Sequence, residues 1–163
     1  MPGALDIDLS EKLDEMVIEI FQTMIPLPLE KKGGKNGVHP AEGTEMLAIL
    51  GFTGTATGSI SVSTTRECAK KITAALLMMD PDEEIPEEDV ADALGELSNM
   101  VGGNLKNAVV EGGIKMNLAA PAIVDGQQIH TSPGSKIIRG FTRDFQVEGK
   151  PLSVSFSVEG HRG

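Results

Sequence analysis

The segment from Val90 to Val109, VADALGELSNMVGGNLKNAV, constrains the fold of this chain more than any other. At about 100° per residue, Val90, Leu94, Leu97, Val101, Leu105 and Ala108 gather on one narrow side of a helix. Such a stripe has to be buried against a second layer, which the rest of the chain must supply. Asp92, Glu96, Asn99 and Gly103 follow at i, i+4, i+7 and i+11 and line up almost diametrically opposite, with Lys106 beside them. Gly102 and Gly103 stand in the middle of this helix, where each costs roughly 1 kcal/mol relative to Ala. Something other than helix propensity keeps them there.

The second layer is legible as strands. PLSVSFSVE, from Pro151 to Glu159, alternates with period two and predicts a half-buried strand. Extended runs at Glu45 to Gly54 and Ala56 to Ser63 predict a β-hairpin, and others lie around Lys115 to Val124 and Lys136 to Val147. Leu9, Leu13, Met16, Val17, Ile20 and Phe21 recur at helical spacing and place a first amphipathic helix over Asp6 to Met24. STTRECAKKITAALLMM predicts a second helix, capped by Ser63, Thr64 or Thr65 and ending near Met79. Pro86, followed by Glu87 to Asp89, opens the Val90–Val109 helix, whose positive N-terminal end favours acids. The Pro-, Gly- and Lys-rich stretch from Ile25 to Gly43 reads as an exposed connection. The expected fold is therefore α+β, one domain over residues 1–163. A mainly antiparallel sheet packs against about three helices.

Charge and composition exclude several functions. A formal net charge of -10 opposes the counterion release on which phosphodiester binding depends. Neither Trp nor Tyr is present to stack bases, so no nucleic acid is expected as a partner. No apolar run approaches the ~20 residues of a membrane span, and MPGALDIDLSEKLDE lacks the basic and apolar regions of a signal peptide. With a single cysteine, Cys68, no internal disulfide can form, and a cytoplasmic protein without membrane insertion is expected.

Several tempting motifs fail on inspection. GFTGTATGS lacks the Gly-Lys-Ser/Thr ending of a phosphate loop. An EF-hand loop starting at Asp80 would want Gly at its sixth place and Glu at its twelfth, where this chain has Ile85 and Ala91. His39, His130 and His161 are far apart without partners at ligand spacing, so no metal or other cofactor of the chain's own is expected. No Ser lies in a nucleophile elbow, and Cys68 falls in an apolar helical pattern as a small core residue.

The polar row is what remains. A plain solvated face is one explanation for it. Asn99 at mid-helix gains nothing from propensity, however, and Gly103 one turn on removes a side chain where another backbone can approach. Glu96 and Asn99 set an anion and a neutral amide about one turn apart on a rigid element. That pair suits gripping a cation and orienting a water.

Asp92-x3-Glu96-x2-Asn99, followed after 21 residues by Pro121, resembles the signature of the CheC/CheX family of chemotaxis phosphatases, which dephosphorylate the response regulator CheY. The resemblance covers roughly Ile7 to Glu159, and Glu30 to Gly43 and Asp125 to Ser135 match least closely. CheC-type members typically repeat the motif in their other half, whereas DIDLSEKLDEMVIEIFQTM contains no Glu-x2-Asn, so the chain looks like the CheX branch.

The resemblance implies a substrate and a set of roles. The partner would be a phosphorylated CheY-like response regulator, an acyl phosphate already holding its own Mg²⁺. Asn99 would orient the attacking water, and Glu96 would accept a hydrogen bond from the receiver's lysine. Asp92, Gly102, Gly103 and Lys106 would belong to the partner surface, and Pro121 would be structural. A homodimer joined sheet edge to sheet edge is also implied. The competing class is a module that binds a response regulator, or a flagellar or chemotaxis component, without hydrolysing anything.

Overall fold

In the computed structural model the described residues are 2–80, 82–126 and 137–159. Among these residues three helices, α1 (Pro2–Thr23), α2 (Arg66–Leu76) and α3 (Glu87–Glu111), pack over one sheet. Its seven strands are β1 (Leu29–Asn36), β2 (Met46–Gly54), β3 (Gly58–Thr64), β4 (Met116–Leu118), β5 (Ala122–Asp125), β6 (Ile137–Val147) and β7 (Lys150–Glu159). They lie in the order β1-β6-β7-β3-β2, every pair antiparallel, and β4 and β5 share the outer edge of β2. This is the α+β class that the periodicities predict. His130, His161 and most of the Asp125–Ser135 segment lie outside the described residues.

The front of the sheet is apolar by register. Met46, Ala48, Leu50 and Phe52 of β2 alternate inward beside Ile60 and Val62 of β3 and Leu152, Val154 and Phe156 of β7. The Phe52 and Phe156 rings stack with centroids 5.6 Å apart. The six predicted apolar positions of α1 are all buried on this layer. Its Asp14 is buried too and receives two hydrogen bonds from Arg143 of β6, at 2.8 and 2.7 Å. That bidentate pair raises the Arg143 pKa and pins α1 to the sheet. Thr65 caps α2 by accepting the Cys68 amide, and burial pushes the Cys68 thiol pKa up, as a core cysteine requires.

The back of the sheet departs from the sequence expectation. Leu29 to Asn36, read as part of an exposed connection, is a strand paired with β6 from Leu29↔Val147 to Asn36↔Phe141. LEKKGGKN shows no apolar alternation because it is an edge, where lysines discourage further pairing. Three strands separate β1 from β2, so residues 37–44 must cross behind them.

Small hydroxyl side chains hold this strap against the sheet. Thr142 Oγ1 donates to the Gly37 carbonyl (2.8 Å) and accepts the His39 amide (3.0 Å), while Ser63 Oγ accepts the Ala41 amide (2.8 Å). Ser153, Ser155 and Ser157 consequently lie buried on the face of β7 opposite Leu152, Val154 and Phe156. The strand predicted to be half-buried is covered on both sides. Its clean alternation separates core from strap, not core from water.

The run from Lys115 to Val124 also differs: it is two short strands broken at Pro121.

Candidate functional site

α3 lies across β2 and β3, with α1 and α2 beside it. Its first turn carries Glu87, Glu88 and Asp89 after Pro86, as the dipole argument requires. Val90, Leu94, Leu97, Val101 and Leu105 are buried and Ala108 is half-buried, so the predicted stripe is the face that meets the sheet. Asp92, Glu96 and Asn99 are all exposed on the far side, with Gly103 and Lys106 half-buried along the same ridge. Side chains at i and i+3 stand about 5–6 Å apart at Cβ, so Glu96 and Asn99 can touch one small group together. Among the described residues, neither side chain makes a hydrogen bond or an ion pair within the chain. Both are presented to a partner or to water.

The two glycines part company. A Cβ on Gly103 would meet nothing within 4 Å, which leaves a bare stretch of helix open on the ridge. A Cβ on Gly102 would come within 2.3 Å of Leu50 Cδ2 and 3.5 Å of Leu118 Cδ1. Gly102 is buried, and the assignment of this residue to the partner surface is corrected here. It is glycine because α3 sits down closely on β2, which Leu50 occupies without any exposure.

Two contacts that hold the ridge escaped the sequence reasoning. Gly95 faces the turn between β4 and β5, where its Cβ would lie 3.5 Å from Pro121 Cγ and 3.6 Å from Ile123 Cδ1. Gly95 and Asn99 are i and i+4, so Pro121 borders the polar row. The available signal was a third glycine one turn ahead of Asn99. At the base of α3, Arg66 of α2 donates to Glu87 Oε2 (2.6 Å) and to the Asp125 carboxylate that ends β5. The Asp125 hydrogen bond heads the causes that raise the Arg66 pKa. Residues 66, 87 and 125 share no local spacing, so only the fold brings them together.

Among the described residues, no cluster of three or more His, Cys, Asp or Glu is placed to hold a metal ion. No helix among them is long and apolar enough to cross a membrane. What the ridge offers is a carboxylate, a carboxamide and an approachable backbone on a helix anchored at both its base and its middle.

The sequence matches the family described as chemotaxis phosphatase CheX over residues 46–139, more than half of the 163 residues. No curated protein sequence matches significantly. A chemotaxis protein CheX from Desulfovibrio desulfuricans superposes with a TM-score of 0.80 at 24% identity, covering 93% of this chain and 99% of that one. A CheC-like superfamily protein from Shewanella sp. PV-4 gives 0.81 at 22% identity over 94% and 99%. A CheX–CheY–BeF3–Mg complex from Borrelia burgdorferi gives 0.75 at 23% identity over 92% and 97%. At these identities the structural matches establish a shared fold, and the family match spans α2, α3 and the Asp92–Glu96–Asn99 row with Pro121. The chain belongs to the CheX chemotaxis phosphatase family.

Proposed function

We propose that this protein hydrolyses the aspartyl phosphate of a CheY-like response regulator, with the outward ridge of α3 as its active surface. The observation that carries this is the pair of exposed, internally unpartnered side chains Glu96 and Asn99 on a helix fixed to the sheet. The family's description as a phosphatase and the existence of a CheX–CheY complex elsewhere in the fold support it.

Phosphoryl transfer passes through a loose transition state, so catalysis rests on positioning and charge stabilisation. Water attacks phosphorus in line, the bond from phosphorus to the carboxylate oxygen breaks, and inorganic phosphate leaves the receiver's aspartate. Asn99 holds that water through its amide. Being neutral, it adds no negative charge beside the phosphoryl oxygens, and orientation alone is worth several kcal/mol.

Glu96 is badly suited to face phosphate. It accepts a charge-assisted hydrogen bond from the receiver's lysine and so fixes the register of Asn99. Asp92, one turn earlier, makes a peripheral contact. Gly103 lets the partner's backbone come close, Lys106 flanks the contact, and Pro121 supports α3 through Gly95. Mg²⁺ belongs to the phosphorylated receiver and is substrate here. The same proposal includes a cytoplasmic setting and a homodimer formed through sheet edges, which sedimentation of the purified chain would test.

The experiment is phosphate release from acetyl-phosphate-charged receivers of the same organism, with and without catalytic amounts of this protein. Turnover of one receiver supports the phosphatase. A receiver that binds without faster dephosphorylation would replace it with the non-catalytic binding module.

A further inference from the structure

Val110 is the one exposed apolar side chain of α3, at 49% exposure. Every other Val, Leu, Met and Ala of that helix is buried or half-buried. Isolated surface valines are ordinary, but this one has a particular place. From Asn99, the steps to Gly103, Lys106 and Val110 are four, three and four residues. At about 100° per residue, Val110 lies within about 40° of Asp92, Glu96, Asn99, Gly103 and Lys106 alike. The ridge therefore continues past the reacting pair as bare backbone at Gly103, the half-buried Lys106 and an apolar end at Val110.

We propose that Val110 is a docking residue, the apolar anchor that seats the receiver against α3 about three turns beyond Asn99. This rests on the proposed function, since the partner is the same receiver. The eleven residues from Asn99 to Val110 span about 16 Å of helix. A standard interface buries about 800 Å² of each partner, a patch about 16 Å in radius, so one centred on Asn99 reaches Val110. The partner surface that fits presents a lysine at the Glu96 end and a small apolar depression at the Val110 end. An apolar contact made equally in the ground and transition states changes affinity and leaves the chemical step alone. Val110 thus sets KM while Asn99 sets kcat.

The test uses the full chain with a receiver that it dephosphorylates, comparing wild type, Val110→Asp and Val110→Ala, with Met78→Asp after α2 as control. Met78 is another exposed apolar side chain, at 92%, between α2 and α3 and on neither the ridge nor a sheet edge. Val110→Asp is expected to raise KM about tenfold or more with kcat within about twofold of wild type, and Val110→Ala to raise it less. Met78→Asp leaves both unchanged. Affinity for the beryllium-fluoride-charged, Mg²⁺-loaded receiver falls in step with KM.

Unchanged KM and affinity in Val110→Asp, with an active wild type, overturns the docking role and leaves the phosphatase standing. A wild type that binds the charged receiver without hydrolysing its phosphate, and loses that binding on Val110→Asp, keeps the docking role and removes the catalytic one. A wild type that neither binds nor hydrolyses overturns both.

Discussion

Gly102 and Gly103 are neighbours in the chain and opposites in their surroundings. The first lies under α3, pressed on Leu50, and is glycine because a methyl group would collide with the core. The second lies on the ridge, where a methyl group would meet nothing at all in the isolated protein. One is explained by folding; the other is left unexplained until a partner is brought to the ridge. The same division runs the length of α3. Its inner side is fixed by packing, and its outer side spends exposed polar groups and an unneeded glycine on a surface that gains no stability from them.

Substitutions on the two sides should therefore separate stability from activity, and the largest effect belongs inside. Leu94→Ala removes a fully buried side chain and should destabilise by about 2–5 kcal/mol, measured by urea unfolding. Any activity it loses should return in proportion to the folded fraction. Glu96→Ala should do the reverse. An unchanged melting temperature would accompany a fall in kcat/KM of about 10–100-fold, the equivalent of one charge-assisted hydrogen bond.

Gly102→Ala gains about 1 kcal/mol of helix propensity and loses about 1–3 kcal/mol to overpacking, so a net loss of about 1 kcal/mol is expected. Calorimetry should find its melting temperature lower by about 2–4 °C. Gly103→Ala should gain about 0.5–1 kcal/mol, since only propensity acts on an open ridge, yet raise KM for the receiver. A Gly103→Ala variant that is both more stable and equally active would remove the distinction between the two glycines.

Much of this was legible in the sequence. Helical period exposed the stripe from Val90 to Ala108 and the row opposite it, and alternation exposed the β2–β3 hairpin. Both are local patterns. What stayed hidden depends on elements distant in the chain. β1 carries no apolar alternation, because an edge strand of lysine and glycine is held by pairing to β6 and not by burial. The serines of β7 look solvent-facing until the strap from Gly37 to Thr44 covers them. In the site, spacing located Glu96, Asn99 and Gly103, but Gly102 falls between stripe and row on the wheel, and only the packing of α3 on Leu50 assigns it to the core. The Arg66–Glu87–Asp125 node and the Gly95–Pro121 contact likewise join residues that only tertiary structure makes neighbours.

The central claim is that Asn99 does chemistry which the rest of the ridge only positions. The direct measurement is single-turnover dephosphorylation of a saturating, charged receiver by wild type and Asn99→Ala, with binding followed in the same samples. Orientation of a water predicts a loss of about 100-fold or more in the rate at saturation, with binding near wild type and an unchanged melting temperature. A variant that binds as well and turns over as fast as wild type would contradict the account.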